Sequence, residues 1–190
     1  MSKDLLLRSL AENGYNVLFG AKKHLATFDI VEKIPGIFAT ISLLIGVWQI
    51  YKPSFNYNSE VSLILIFLSI IALTISLYNS EKERYKEVGT QLTKIHNRLR
   101  TLYYKVKSSQ EASFQAEEEE MERLLDEFYQ INLSKQILLS DWYAHYKFFF
   151  QAQHEWISEQ KFFTWRDKIP VSFRFTAALL IITIVILTLL

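Results

Sequence analysis

Histidine is the side chain with which this chain could bind a metal or transfer a proton, because the sequence contains four histidines and no cysteine. His154 and Glu155 begin like the HExxH motif of zinc proteases, but position 158, where the second histidine should stand, is a serine. The other three, His24, His96 and His145, form no pair at metal-ligand spacing. The missing cysteine also excludes disulfides, thiol catalysis and thiolate zinc sites. We therefore expect no metal site and no cofactor.

Other catalytic patterns are missing too. The five glycines are isolated from one another, so no glycine-rich loop could hold a phosphate, and there is no serine elbow. The sequence therefore predicts that the protein is not an enzyme. Its net charge of +1, from 21 Lys and Arg against 20 Asp and Glu, gives no electrostatic reason to expect direct nucleic-acid binding.

Three long apolar stretches are the main feature of this 190-residue chain. Residues 34–51 and 61–80 contain no charged side chain, and residues 171–190 contain one, Arg174. A bilayer core about 30 Å thick needs about 20 helical residues, so each stretch is long enough to cross it. A soluble protein of this size could not surround three such helices. The sequence predicts an all-α membrane protein with a transmembrane hairpin at 34–80 and a third, C-terminal transmembrane helix.

Lysine and arginine residues lie on one side of the predicted hairpin. Residues 1–33 carry five of them, whereas the loop at 52–60 carries one lysine. Three more follow the second span directly: Lys82, Arg84 and Lys86. The positive-inside rule then places the N-terminus and residues 81–170 in the cytosol, and the 52–60 loop and the C-terminus outside.

Residues 81–170 are predicted to form a long, antiparallel, coiled-coil-like helical hairpin in the cytosol. Apolar residues recur at alternating steps of three and four between Tyr85 and Val106, which is a heptad pattern. Because neither Gly nor Pro occurs from 90 to 169, a second helix is predicted over residues 112–164. Residues 1–33 are predicted as an amphipathic helix beside this hairpin. We assign the centre of the heptad pattern to a seam for self-assembly: Leu92, Ile95, Leu99 and Leu102.

Aromatic residues are dense towards the end of this region, on more than one face of the predicted helix. They predict contact with another subunit or with the membrane surface, or else a pocket in which a nucleotide base stacks, or packing against the N-terminal helix. The residues assigned to partner or ligand contact are Trp142, Tyr146 and Trp156.

Small and weakly polar residues recur at helical spacing within both spans. Such stripes let helices approach closely and hydrogen-bond across the contact. Two interpretations stay open: packing within the hairpin, or the wall of a pore built from several copies. The residues concerned are Ser42, Gly46 and Gln49 in the first span, and Ser62, Ser69 and Ser76 in the second.

The order of these parts resembles a known family. An amphipathic N-terminal segment (NVLFGAKKHLATFDIVEKI), a tight membrane hairpin and a long charged helical region are similar to the SLATT proteins over residues 10–110. These are two-transmembrane effector domains that accompany nucleotide-signalling and reverse-transcriptase genes in bacterial conflict systems. The resemblance implies an inner (cytoplasmic) membrane location. It also implies a nucleotidyltransferase or reverse-transcriptase partner, or a nucleotide messenger, as the trigger. It supplies no functional residue.

Two functions follow as hypotheses. The first is a homo-oligomeric antiphage effector that forms a pore or disrupts the membrane and so kills or arrests the cell. The second is a membrane-anchored scaffold or sensor whose cytosolic helices dock a partner protein without conducting ions. In both, the lipid bilayer is a partner of the chain.

Overall fold

The computed structural model describes residues 1–131 and 135–189, and the side chains of Leu187 and Leu189 lie outside that description. Within these ranges the chain is helical and contains no strand, which confirms the all-α prediction. Two rods form its framework. The first is helix α1 (Lys3–Tyr51), and the second consists of α2 (Asn58–Ser76) and α3 (Lys82–Ser108), joined by a 3-10 turn at Asn79–Glu81.

Helix α1 is continuous over 49 residues, about 73 Å at 1.5 Å per residue. It begins at an N-cap, where the Ser2 side chain accepts a hydrogen bond from the Leu5 amide. The helix runs through Gly14, Gly20 and Pro35 without a break. The predicted segments 1–33 and 34–51 are therefore two parts of one helix.

The apolar parts of both rods lie outside the protein core. In each rod, only 6% of the most apolar 18-residue window is buried within the chain. The core helix of a soluble protein would be mostly buried, so a different solvent must cover these surfaces, and a bilayer is the one that suits them. The structure thus supports a membrane protein with two long apolar helices.

A compact helical unit adjoins these apolar parts. The first thirty residues of α1 pack along α3, and Leu6, Leu10, Val17, Ile95 and Leu99 are all fully buried there. Helix α4 (Gln115–Gln130) packs on the same cluster through Met121 and Leu124. Burial of this apolar surface is the main term that holds the unit together.

The prediction of one helix over 112–164 is wrong beyond Gln130. The chain instead forms α5 (Ser140–Tyr146), a π-helical turn at Lys147–Gln151 and α6 (Glu155–Ser158), and Leu139 has a positive φ of 68°. Residues 132–134 lie outside the described part. A straight helix would carry the aromatic residues past the core, whereas these short helices bring Phe148 and Trp156 into it.

Helix α7 (Val171–Leu189) follows as a separate apolar helix. Its first turns contact the rest of the chain through Trp142, whose indole nitrogen donates to Ser172 Oγ at 2.9 Å and whose ring meets Phe173 edge-on. The two rods are the helices that are long and apolar enough to cross a membrane, and a span at α7 stays a prediction.

Candidate functional site

Gln49 makes the main polar contact between the two apolar helices. Its Nε2 donates to the Asn58 carbonyl at 3.0 Å and to Ser62 Oγ at 3.1 Å. Asn58 in turn donates from Nδ2 to the Pro53 carbonyl at 2.9 Å, which ties the connecting turn to the start of α2. Gln49 and Ser62 thus lie at a helix contact within the chain, as one of the two interpretations of the stripes predicts.

The remaining stripe residues lie in two different settings. Ser42 and Gly46 lie with Gln49 on the partly covered side of α1, and a Cβ at Gly46 would meet no atom within 4 Å. Ser69 and Ser76 are exposed on α2, and their hydroxyls donate back to the carbonyls of Leu65 and Ala72, both at 2.9 Å. The face of α2 that carries these two serines has no partner among the described residues.

The heptad pattern does mark a buried seam, but its partner is the same chain. Leu92, Ile95, Leu99 and Leu102 are between 0% and 7% exposed, and they pack against α1 and α4. Their assignment to self-assembly is therefore corrected. The spacing shows that one face of α3 must be covered, and the N-terminal part of α1, which was predicted to lie beside this region, covers it together with α4.

Trp156 is not a ligand-binding residue. Its side chain is 1% exposed, and it packs against Tyr103 and His96 in the core, with its six-membered ring facing Gly14. Its assignment to ligand contact is corrected, because a side chain enclosed in this way cannot stack on a nucleotide base. Trp142 is partly buried against α7, and Tyr146 is half exposed.

A buried polar cluster that the sequence did not reveal joins α1 to the segment before α5. Thr27 Oγ1 donates to Gln136 Oε1 at 2.5 Å, and Gln136 Nε2 lies 3.1 Å from His24 Nδ1. Because the amide nitrogen can only donate, His24 Nδ1 accepts and carries no proton. Burial, followed by the charge of Lys23, lowers the His24 pKa from 6.5 to about 4. The neutral ring is therefore built into the contact.

His96 forms a similar contact further into the core. Its Nδ1 donates to the Gly14 carbonyl at 3.2 Å, since a carbonyl oxygen can only accept. Burial lowers the pKa of His96 from 6.5 to about 4, so this ring too is neutral at pH 7. Both histidines hold elements together.

Ion pairs lie where α1 leaves the packed unit. Asp29 accepts from Lys33 at 2.8 Å and from Lys147 at 2.5 Å. Burial alone would raise the Asp29 pKa, but the hydrogen bonds from the two lysines outweigh it and hold that pKa below its usual value. Lys82 pairs with Glu32 at 2.5 Å, so α3 is tied to α1 at the same level. This ring of charges marks the boundary between the charged unit and the apolar helices.

No group of three metal-ligating side chains occurs within residues 1–131 and 135–189.

A comparison with protein families identifies the chain at the level of the family. The family described as the SMODS and SLOG-associating 2TM effector domain 6 matches residues 1–177. The chain belongs to this family. The match confirms the resemblance inferred from the sequence and extends it from residues 10–110 to nearly the whole chain. Searches of curated proteins and of solved structures found no match.

Membership fixes the general role. The family description makes the chain a membrane effector domain with two transmembrane segments, and the two long apolar rods supply them. The description of the matching family names an effector domain and no catalytic activity.

Proposed function

We propose that this effector domain acts in a bacterial antiphage defence system. Once activated, it assembles into oligomers in the inner membrane and opens a pore or disrupts the bilayer, which kills or arrests the cell. Family membership and the two uncovered apolar helices support this proposal. A partner from a nucleotide-signalling or reverse-transcriptase system, or its messenger, would supply the trigger.

The exposed serine line of α2 is the observation that carries the assembly step. Ser69 and Ser76 lie seven residues apart on an exposed face of α2, whereas Ile75 on the neighbouring face is buried with Val31 of α1 and with Ile137. In a single copy the hydroxyls of Ser69 and Ser76 can bond only to their own helix and would face lipid. Small polar residues in this setting favour close contact with another helix, and a second copy of α2 supplies one.

Dye leakage from liposomes tests the proposal. Purified protein is reconstituted with an encapsulated dye, and we expect leakage that rises steeply with the protein-to-lipid ratio. Ser69→Leu removes a hydroxyl from the assembly face and should reduce leakage several-fold at equal insertion. Thr40→Leu is the matched control, since Thr40 is also exposed on a span and its hydroxyl also bonds to its own helix, at the Gly36 carbonyl.

The proposal fails if cells keep their membrane potential at an expression level that stops growth. It also fails if Ser69→Leu and Thr40→Leu leak like the wild type while the protein remains monomeric in the bilayer.

We also propose the membrane topology. The N-terminal part of α1 and α3 pack side by side, so the charged residues of both lie on one side of the membrane, which the positive-inside rule assigns to the cytosol. The turn at Lys52–Tyr57 and the end of α7 would then lie outside. Because the chain lacks cysteine, Ser54→Cys and Ser108→Cys provide single labelling sites. An impermeant maleimide applied to intact spheroplasts should label Ser54→Cys and leave Ser108→Cys unlabelled.

A row of stacked aromatic rings favours a second function, that of a docking scaffold. Tyr143 stacks on Tyr146, and Tyr146 stacks on Phe150, with Tyr146 50% and Phe150 68% exposed. Exposed aromatic surface of this kind often marks a protein contact. Tyr146→Ala separates the two functions. If the protein forms a pore, the purified variant still causes dye leakage. If it is a scaffold, the variant no longer binds its partner, and neither the variant nor the wild type causes leakage.

A further inference from the structure

A crevice lies between the rods where their apolar parts meet the packed unit. Ile30, Ile34 and Phe38 of α1 form one wall, and Ile71, Thr74 and Ile75 of α2 form the other. Residues 137–139 of the segment before α5 close one side. We refer to this space, of about 330 Å³, as the acyl crevice.

We propose that the acyl crevice binds one acyl chain of an anionic phospholipid, whose headgroup lies beside Lys135. This inference concerns a lipid site and does not depend on pore formation.

The lining of the acyl crevice excludes a polar ligand. Eight of its nine residues are Ile, Leu or Phe. The ninth, Thr74, has its hydroxyl engaged, because Thr74 Oγ1 donates to the Ile70 carbonyl at 2.9 Å. A small-molecule site usually places several polar groups around its ligand, and no side chain of this lining offers a free donor. A hydrocarbon chain needs no such groups.

The segment over the acyl crevice has the properties of a membrane-surface contact. Ile137 is buried with Val31 and Ile75, whereas the next residue, Leu138, is 84% exposed. Leu139 has a φ of 68°, which costs a branched residue about 1–2 kcal/mol and is held by the surrounding structure. Two exposed leucines beside these apolar helices form a surface that lipid would cover favourably.

Continuity with the bilayer identifies the occupant. Ile34, Phe38 and Ile71 belong to the apolar windows that the chain leaves uncovered, so the acyl crevice opens from the surface that lipid contacts. Acyl chains are present there at far higher concentration than any soluble apolar ligand. A lipid is therefore the occupant that reaches this position without a separate binding pathway.

Lys135 supplies the charge for a headgroup. Its Nζ lies 4.7 Å from the centre of the Tyr78 ring, and Tyr78 packs on the cluster formed by Val31, Ile75 and Ile137. Among the residues that the structure describes, no carboxylate forms an ion pair with Lys135, in contrast to Lys33 and Lys82 nearby. An exposed ammonium group at this place suits the phosphate of an anionic lipid.

Photolabelling in nanodiscs tests the inference. The full-length protein is reconstituted with phosphatidylglycerol that carries a diazirine on one acyl chain close to the glycerol, then irradiated, and the labelled peptides are mapped. We expect label at residues 137–139 in excess of the label at Leu63 and Phe67, exposed residues of α2 away from the acyl crevice. Lys135→Gln should reduce this excess several-fold with phosphatidylglycerol and leave it unchanged with phosphatidylcholine.

Filling the acyl crevice gives the decisive comparison. Thr74→Phe should abolish the excess label at 137–139, because the ring occupies the space of the acyl chain. Thr40→Phe is the matched control, with the same change on an exposed threonine outside the acyl crevice, and should keep the excess. Ile71→Trp provides a second filling variant if Thr74→Phe does not fold.

Equal labelling in the two threonine variants overturns the proposal, since the label would then come from lipid around the whole protein. The proposal is also overturned if residues 137–139 are not labelled and this segment cross-links to a second copy of the chain. That result would show that protein, and not lipid, fills the acyl crevice.

Discussion

Single residues decide how closely the helices of the packed unit can approach. At Gly14 of α1, a Cβ would lie 2.3 Å from Cη2 of Trp156, far inside van der Waals contact. At Gly20, two turns further along the same helix, the nearest atom would be Leu92 Cδ1 at an ordinary 3.5 Å. Glycine is therefore required at the first position and only tolerated at the second.

Alanine at these two glycines should have opposite effects on stability. Gly14→Ala should lower the free energy of unfolding by about 1–3 kcal/mol, because the enclosed indole cannot move aside. Gly20→Ala should raise it by up to about 1 kcal/mol, the usual gain when alanine replaces glycine within a helix. Thermal unfolding in detergent, followed by tryptophan fluorescence, measures both. Equal melting temperatures for the two variants would contradict the close contact of Gly14 with Trp156.

At the scale of elements, the long helix α1 is the part that links the packed unit to the membrane. It packs on α3 in its first half, bears the ring of ion pairs around Asp29, and reaches α2 through Gln49 in its second half. A change in how the packed unit is held can therefore reach the apolar helices along one continuous helix. This gives an activating partner a route to the membrane that needs no unfolding.

The Gln49 contact should determine how firmly α1 and α2 are held together at the turn. Gln49→Leu removes the donor to Asn58 and Ser62 and should weaken the pair by about 0.6–2 kcal/mol, the usual range for hydrogen bonds between helices in membranes. The distribution of distances between spin labels placed at residues 47 and 64 should become broader. Ser69→Leu is the control, because Ser69 bonds to its own helix and leaves this distance unchanged. If the distance distribution broadens in Ser69→Leu and not in Gln49→Leu, Gln49 does not hold the two helices together.

For the whole molecule, the two neutral buried histidines make the assembly of the packed unit sensitive to acid. His24 connects α1 to Gln136, and His96 connects α3 to Gly14. A proton on His24 Nδ1 would point at the Gln136 amide nitrogen, which is also a donor, and the contact would be lost. Acid should therefore loosen the same contacts that fix the segment before α5.

Stability should fall as the pH drops from 6.5 to 4. Both folded-state pKa values, about 4, lie below the ordinary 6.5, so the unfolded chain takes up protons first. The stabilisation that comes from keeping the two histidines neutral is fully present above pH 6.5. Below pH 4, the free energy of unfolding is lower by about 3 kcal/mol for each histidine. Melting temperatures across this range measure the effect.

His96→Asn provides the control for this pH dependence, since asparagine can still donate to the Gly14 carbonyl but does not titrate. Its melting temperature should vary less steeply with pH than that of the wild type. Identical slopes in the two proteins would show that His96 is not buried as a neutral ring.

Much of this architecture could be predicted because it depends on short-range patterns. The length of the apolar stretches predicts the membrane helices, since a bilayer has a fixed thickness. The steps of three and four from Tyr85 to Val106 predict the buried face of α3, because they match the period of a helix, and every residue of that pattern is buried. Both predictions hold whatever the rest of the chain does.

The tertiary structure alone decided which surfaces meet. Three contacts join residues that are far apart in sequence: α1 with the buried face of α3, Trp156 with Gly14, and Gln136 with His24. No local period in the sequence encodes such contacts. The end of α4 at Gln130 has the same origin, since no glycine or proline marks it and the gain from burying Phe148 and Trp156 outweighs local helix preference. Local spacing determines that a face must be covered, and the summed free energy of packing determines what covers it.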